Sequence, residues 1–189
     1  AISIDTTKAD VAEAALEAGA DVINDVSGLT MDARMPAVAA ETGCGVVVMH
    51  MRGRPKTMQG GDLSSPDIVG EVLEYLHHRV DALVSAGVAR EAICLDPGIG
   101  FGKTLAQNLQ LMASTRLWAL GRPLLLGPSR KSFIGALTDR PVEQRLSGTA
   151  AACAAAVARG VHWLRVHDVP EMSDVVKVAA AIESEGRAL

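Results

Sequence analysis

The chain has 189 residues, the size of a single domain. Hydrophobic residues make up 49% and charged residues 21%, so a sizeable core can form and a disordered chain is excluded. Aromatic residues are only 3%, and the core must therefore be built from aliphatic side chains, as in tightly packed α/β layers. The formal net charge of −4 and the lack of a Lys/Arg-rich run argue against a nucleic-acid partner.

Three cysteines, Cys44, Cys94 and Cys153, have no paired spacing and sit in apolar segments. We interpret them as reduced core thiols, which predicts a cytoplasmic protein. No segment has the length and apolar character of a membrane span, and no signal peptide is visible, so no membrane association is predicted.

Short β-branched runs alternate with amphipathic helical stretches along the chain. In chain order, the predicted strands are Ile2–Ile4, Asp21–Asp25, Gly45–His50, Ile93–Asp96, Leu124–Gly127 and Trp163–Val166. The predicted helices are Ala9–Ala18, Ala33–Glu41, Asp67–Ala86, one held within Thr104–Leu120, a small-residue helix within Pro141–Arg159, and Val169–Glu185. A polar, glycine-rich loop follows the third strand.

This order gives six βα units of about thirty residues each, with strands that are mostly apolar on both faces. A doubly wound open sheet and a (β/α)₈ TIM barrel both fit that pattern. Polar residues at the carboxyl ends of different strands favour the barrel, because those ends converge on one mouth. They are Asp5, Asn24, His50, Asp96, Ser129, Arg165 and His167.

A complete barrel has eight units in about 250 residues, whereas this sequence opens almost directly on a strand. We therefore expect residues 1–189 to form one barrel domain that holds strands 3 to 8, with the first two βα units missing. A six-unit barrel exposes strand edges and core surface, so these residues alone are expected to be unstable and inactive.

The most specific segment runs from Leu95 to Lys103, where a strand ends in Asp96 and a loop with glycine at alternate positions follows. Such a loop lets the backbone approach a flat ligand closely. Pro97 stands where a phosphate-binding P-loop needs its first glycine, and Lys103 stands where the dinucleotide fingerprint needs its last. The alternative is an ordinary strand-to-helix turn in which Asp96 only caps the helix.

Two further segments carry cations near strand ends. The run from Gly127 to Gly135 includes Arg130, Lys131 and Ser132, which suits an anion but also fits a solvated loop. Arg165 and His167 share one face of the predicted last strand and could clamp a phosphate. The alternative for these two is a buried structural ion pair with Asp168.

Asp5 follows Ile4 at the end of the first predicted strand, and Asn24 follows Ile23 near the end of the second. Both are binding candidates or simple helix caps, and Asp25 is the other possible cap after the second strand. Met49 and the basic loop after it could form a polarizable wall for a flat ring, or core packing beside a mobile loop. His77 and His78 are interpreted as surface or packing residues, and no zinc-ligand spacing is present.

Together these segments resemble dihydropteroate synthase, a family of pterin-binding (β/α)₈ enzymes in folate biosynthesis. The matching runs occur in family order over essentially the whole chain, and the Asp-Pro-Gly, Ser-Arg-Lys-Ser and Arg-Val-His-Asp runs are the most specific. They are Ser3–Thr6, Ile23–Val26, Met49–Met51, Pro55–Gln59, Leu95–Lys103, Ser129–Gly135 and Arg165–Val169.

The resemblance implies a transferase that condenses 7,8-dihydropterin-6-ylmethyl diphosphate with p-aminobenzoate to give 7,8-dihydropteroate and diphosphate. It implies a homodimer and membership of a family that sulfonamides target. It assigns the pterin to Asp5, Asn24, Met49, Asp96 and Lys131, the diphosphate to Arg165 and His167, and p-aminobenzoate to Phe101, Lys131 and Ser132. Lys131, Arg165 and His167 are the catalytic candidates.

The family also begins with two strands that this sequence lacks, and the first of them carries the asparagine that binds Mg²⁺. No metal ligand is therefore predicted here, although Mg²⁺ is the expected cofactor. One alternative is a methyltetrahydrofolate-binding methyltransferase on the same barrel, which has no need of a diphosphate clamp. The other is a non-catalytic pterin-binding paralogue.

Overall fold

The computed structural model describes residues 1–53, 57, 58, 60–114 and 116–187. Strands and helices alternate over these residues. The strands are β1 (Ser3–Asp5), β2 (Val22–Asp25), β3 (Gly45–Met49), β4 (Ile93–Asp96), β5 (Leu125–Leu126) and β6 (Trp163–Leu164). The helices are α1 (Ala9–Glu17), α2 (Met35–Thr42), α3 (Ile68–Ser85), α4 (Leu105–Ala113), α5 (Ser132–Thr138), α6 (Leu146–Ala158) and α7 (Val169–Arg187).

All six strands run parallel and neighbour one another in chain order. The strands β1 to β4 form one sheet, β5 pairs with β6, and a single bridge between Leu95 and Leu124 joins the two sheets into an arc. No strand pairing links β6 to β1 among the described residues, so the ring is open between them. Because the strands are parallel, their carboxyl ends lie at one edge of the arc.

The helices cover the outer surface of the arc. The longest connecting helix, α3, shows why: Val72, Leu76, Val80 and Leu83 recur at helical spacing and all are buried. Its first turn is capped by Asp67, whose side chain accepts a hydrogen bond from the Gly70 amide at 2.9 Å. None of the described helices has both the length and the apolar character needed to cross a membrane.

Two of the predicted stretches contain a helix that is shorter than the stretch. Within Thr104–Leu120, α4 ends at Ala113, Ser114 is extended, and a 3₁₀ turn follows at Arg116–Leu120. Serine side chains compete with the backbone for hydrogen bonds, which weakens a helix at such a point. The stretch Pro141–Arg159 likewise begins with a 3₁₀ turn at Val142–Gln144, and α6 starts only at Leu146.

Apolar side chains remain uncovered at both ends of the arc. Ile2 beside β1 is 64% exposed and Trp163 in β6 is 56% exposed, and Val169, Val178 and Ile182 of α7 are exposed as well. A cavity of about 260 Å³ opens into the arc between β1 and β6. The exposed core surface expected from a six-unit barrel is therefore present.

Candidate active site

Asp96 lies at the end of β4 and is only 2% exposed. One carboxylate oxygen accepts a hydrogen bond from the Gly98 amide at 2.7 Å. Burial raises the pKa of Asp96, while the amide of Gly98 and the positive charges of Lys131, Arg165 and Lys103 favour its ionised form. Asp96 is therefore a buried carboxyl group that feels the charges of three cations, and its ionised form would make strong charge-assisted hydrogen bonds.

Lys103 closes the loop 97–103 from the inside. Its ammonium donates to the carbonyl oxygens of Gly98 at 2.9 Å, Phe101 at 3.0 Å and His50 at 3.3 Å, and the residue is 3% exposed. Burial lowers the pKa of Lys103 to about 7, opposed by the attraction of Asp96. These bonds hold the loop against the end of β3, which fixes the backbone next to Asp96.

Lys131 projects from the next strand end toward the same loop. Its ammonium donates to the carbonyl of Ile99 and sits 4.2 Å from the centre of the Phe101 ring, in cation–π geometry. Burial lowers the pKa of Lys131 to about 8, and Asp96 opposes that shift while Arg165 adds to it. Gly100 has a φ of 81°, and a Cβ there would come within 2.9 Å of the Lys131 side chain.

Arg165 follows β6 and faces Asp5 across the opening of the arc, with 3.5 Å between the guanidinium and the carboxylate. Asp5 is in register with Asn24 on the neighbouring strand, and all three residues line the same cavity. The Arg165 side chain is 39% exposed, so it is less buried than the predicted inward-facing arginine. Because β6 ends at Leu164, strand alternation does not set the direction of Arg165 or His167.

His167 pairs with Ser129, which follows β5. The Ser129 hydroxyl lies 2.8 Å from the imidazole Nδ1 and accepts the backbone amide of His167 at 3.2 Å. Ser132 opens α5 and is exposed, next to Lys131. Met49 is buried at the end of β3, where its partner in the register is Asp96.

The helix-cap alternatives for Asp5, Asn24 and Asp96 are wrong. The residues that precede α1, α2 and α4 are Lys8, Arg34 and Thr104, and Thr104 forms a capping box with Gln107. Asp25 caps no helix either. It accepts the amide and hydroxyl of Ser27, both at 2.7 Å, and closes the turn after β2.

Asp168 pairs with Arg130 and not with Arg165 or His167. Two hydrogen bonds join the Arg130 guanidinium to the Asp168 carboxylate, one of them at 3.0 Å, and this pairing lowers the pKa of Asp168. The predicted alternative of a structural ion pair between Asp168 and the Arg165/His167 pair is therefore wrong. Arg130 is paired with Asp168 at the start of α7, so of these two adjacent cations Lys131 is the one that contacts the loop 97–103.

The His50 side chain, although it follows a strand end, contacts the helix α3. It packs outward against α3, with its ring 4.9 Å from that of Tyr75 and its Nε2 3.7 Å from Glu71. Its Nδ1 is buried without a hydrogen-bond partner in the described structure. Burial, together with the charges of Lys103 and Arg52, lowers the pKa of His50 to about 3.

The His50 environment makes stability depend on pH. Below the ordinary pKa of 6.5, His50 is protonated in the unfolded chain but stays neutral in the folded chain, where its pKa is about 3. Acid therefore favours unfolding, and lowering the pH from 7.5 to 5.0 is expected to remove roughly 2 kcal/mol of stability through this residue.

Urea unfolding at both pH values measures this loss of stability. In His50→Phe, which keeps the ring contact, the loss of stability between the two pH values should be smaller than in the unmodified chain by roughly that 2 kcal/mol. His77→Gln, at an exposed position, should lose as much stability as the unmodified chain. Equal losses in all three would contradict it.

Part of the basic loop after β3 lies outside the described residues, namely Arg54, Pro55, Lys56 and Gln59. Within the described part, Arg52 pairs with Glu71 of α3 and donates to the Leu63 carbonyl at 2.8 Å. His77 and His78 are exposed on α3, as predicted. Cys44, Cys94 and Cys153 are free thiols, and only Cys153 is fully buried.

The described residues contain no group of three or more His, Cys, Asp or Glu side chains that could hold a metal ion. Mg²⁺ is usually bound by one or two carboxylates together with substrate phosphates. The described carboxylates are not grouped for a site held by the protein alone, and no magnesium ligand is assigned among them.

A profile of the family described as pterin binding enzyme matches residues 1–167. A dihydropteroate synthase structure from Stenotrophomonas maltophilia is 44% identical and superposes with a TM-score of 0.92 over 96% of this chain and 69% of that one. This chain belongs to the dihydropteroate synthase family of pterin-binding enzymes. The predicted α/β barrel class is thereby confirmed, as six units of a ring that is not closed.

Two other relatives support this membership. Dihydropteroate synthase from Synechocystis is 48% identical over 184 residues, which cover 96% of this chain and 63% of that protein. A structure of the Xanthomonas albilineans synthase in complex with 7,8-dihydropteroate is 42% identical, with a TM-score of 0.87 over 96% of this chain and 66% of that one. The chain thus spans about two thirds of the length of these family members.

The position of Lys103 inside the loop is a feature of this candidate site that the sequence did not reveal. Its presence in the glycine-rich segment was visible, but a lysine after Gly102 suggests an exposed cation, since lysine is almost never fully buried unless paired. The partnership of Ser129 with His167 was also missed. The only available signal was that both residues follow strand ends.

Proposed function

We propose that this chain supplies the pterin, diphosphate and p-aminobenzoate contacts of a dihydropteroate synthase, within a single barrel domain over residues 1–189. The observation that carries the proposal is the buried Asp96 carboxyl group at the carboxyl-terminal edge of the arc. It interacts electrostatically with Lys131 and Arg165. Arg165 also contacts Asp5, and the Ser129–His167 pair follows the neighbouring strand ends.

The pterin fits the acidic side of this mouth. Its edge presents N–H donors arranged much like a guanidine, and a desolvated carboxylate such as Asp96 accepts two of them at once. Asn24 both donates and accepts, and it lines the same cavity as Asp5. Met49 and Lys131 complete the proposed pterin site, with the polarizable thioether suited to a ring face.

The diphosphate fits the basic side. As the C–O bond to the pterin methylene breaks, the leaving diphosphate gains negative charge. Attraction to Arg165 and His167 therefore grows toward the transition state, which lowers the barrier. The amine of p-aminobenzoate then attacks the pterin-stabilised cation and loses a proton, which gives dihydropteroate.

The p-aminobenzoate site is proposed at Phe101, Lys131 and Ser132. Lys131 is held over the Phe101 ring at 4.2 Å, so an aromatic surface and a positive charge adjoin each other. Ser132, the next residue, is exposed and can donate to a carboxylate. Mg²⁺ remains a proposed cofactor of the whole enzyme, without a ligand assigned among these residues.

We also propose that the enzyme is a cytoplasmic homodimer and a sulfonamide target, as the family resemblance implies. The free thiols suit a reducing compartment. An apolar groove of about 420 Å³ between α4, α5 and α6 offers a face for a second copy, because most of the side chains that line it are apolar.

Calorimetry distinguishes the proposed function from its rivals. The 189-residue chain should bind dihydropterin-methyl diphosphate about 10- to 100-fold more tightly than the corresponding alcohol, because only the diphosphate meets Arg165 and His167. A methyltransferase would prefer methyltetrahydrofolate and show no gain in affinity from the diphosphate.

In a chimera that carries this chain in place of the matching 184 residues of the Synechocystis protein, diphosphate release with p-aminobenzoate is expected. Binding without release would favour the non-catalytic paralogue.

A further inference from the structure

The hydrogen bonds around Ser129 determine where the proton of His167 resides. Ser129 is 5% exposed, and its hydroxyl oxygen accepts the backbone amide of His167 at 3.2 Å. The same oxygen lies 2.8 Å from the imidazole Nδ1. The hydroxyl group has a single hydrogen to donate.

Among the described residues, Nδ1 is the one acceptor within reach of that hydrogen. If Nδ1 carried a proton and donated it to Ser129, the hydroxyl hydrogen would be left buried without a partner, which is unfavourable. The arrangement that satisfies all groups has the hydroxyl donating to Nδ1. A neutral imidazole then carries its proton on Nε2.

His167 is exposed, and its Nε2 has no hydrogen-bond partner among the described residues. Nε2 is therefore the imidazole atom left to meet a ligand. A proton on that atom can be donated to an anionic oxygen, whereas a bare nitrogen would repel one. Arg165, two residues earlier, lines the cavity that also contains Asp5 and Asn24.

We propose that Ser129 is a positioning residue that holds His167 in the Nε2–H tautomer and fixes its ring, so that this N–H is presented to a diphosphate oxygen. The proposal rests on the proposed function for the identity of the anion. The tautomer itself follows from the Ser129 contacts and can be tested without any ligand.

Nitrogen NMR of the histidine side chains tests the tautomer in the full 189-residue chain at pH 8.5, with His167→Gln used to assign the signal. His167 should show a protonated Nε2 and an unprotonated Nδ1, and Ser129→Ala should give a mixture of both tautomers. His162 is an internal control, because its Nδ1 accepts the Leu124 amide at 3.1 Å before β5 and β6 begin, whereas Ser129 and His167 follow these strands. If the His162 signal also changes, the fold has been disturbed and Ser129→Cys, which keeps the shape, replaces the alanine variant.

A double-mutant cycle with inorganic diphosphate as the probe tests the functional step. Ser129→Ala should weaken diphosphate binding about twofold to tenfold, the usual effect of freeing one side chain. The same substitution should have no effect in a His167→Gln background. An unchanged tautomer in Ser129→Ala, or an equal loss of affinity in both backgrounds, would overturn the proposal. If the unmodified chain shows the tautomer but does not bind diphosphate, the proposed function fails and the positioning of His167 by Ser129 stands.

Discussion

Asp96→Asn is expected to weaken binding of dihydropterin-methyl diphosphate by about 100-fold, which corresponds to about 2.7 kcal/mol. A carboxylate accepts two N–H bonds from the pterin edge, whereas an amide accepts one and turns its own N–H groups toward the second donor. The loss is large because the site is buried, so the N–H groups that face each other cannot form hydrogen bonds with water instead.

The stability of the same variant separates binding from folding. The amide oxygen of asparagine can still accept the Gly98 amide, which now bonds to Asp96 at 2.7 Å. A buried charge is removed at the same time, so the free energy of unfolding should fall by no more than about 1 kcal/mol. Calorimetry and urea unfolding on one preparation measure both quantities. Asp174→Asn, at a side chain that is 81% exposed, is the matched control and should change neither. Unchanged pterin affinity in Asp96→Asn would refute the assignment of this carboxylate.

Gly98→Ala is expected to destabilise the chain by at least about 3 kcal/mol, or to displace the loop and abolish pterin binding. Gly98 has a φ of 69°, and a Cβ there would collide with the carbonyl oxygen of His50 and lie 3.3 Å from the Lys103 ammonium. Backbone strain in the left-handed region costs roughly 1–2 kcal/mol, and the collision adds to it because the obstacle is backbone that cannot rotate away.

Gly43→Ala isolates the cost of backbone strain. Gly43 has a φ of 65°, nearly the same as that of Gly98, and no atom lies within 4 Å of a Cβ built on it. It should lose only about 1 kcal/mol in urea unfolding and leave pterin binding unchanged. Equal losses in the two variants would show that the close approach of the loop to β3 contributes nothing.

The sequence by itself determined the order and type of most elements. The strand Ile93–Asp96 was predicted at both ends, because an apolar run stops there at an aspartate followed by proline and glycine. The helix α3 was predicted to within one residue at each end, because its apolar face repeats at helical spacing between Asp67 and Gly87. The strand-end positions of Asp5, Asn24 and Asp96 follow from the same local patterns.

Only the tertiary structure decided which polar groups meet. Lys103 contacts the His50 carbonyl 53 residues away, and the Arg130–Asp168 and Ser129–His167 pairs each span 38 residues. Local periodicity carries no information about such partners, since they depend on which strand ends neighbour one another in the arc. The same limit explains His50, which shares the strand-end signal of the other residues but turns outward to α3. Its direction is set by the space between β3 and that helix, where Tyr75 and Glu71 already lie.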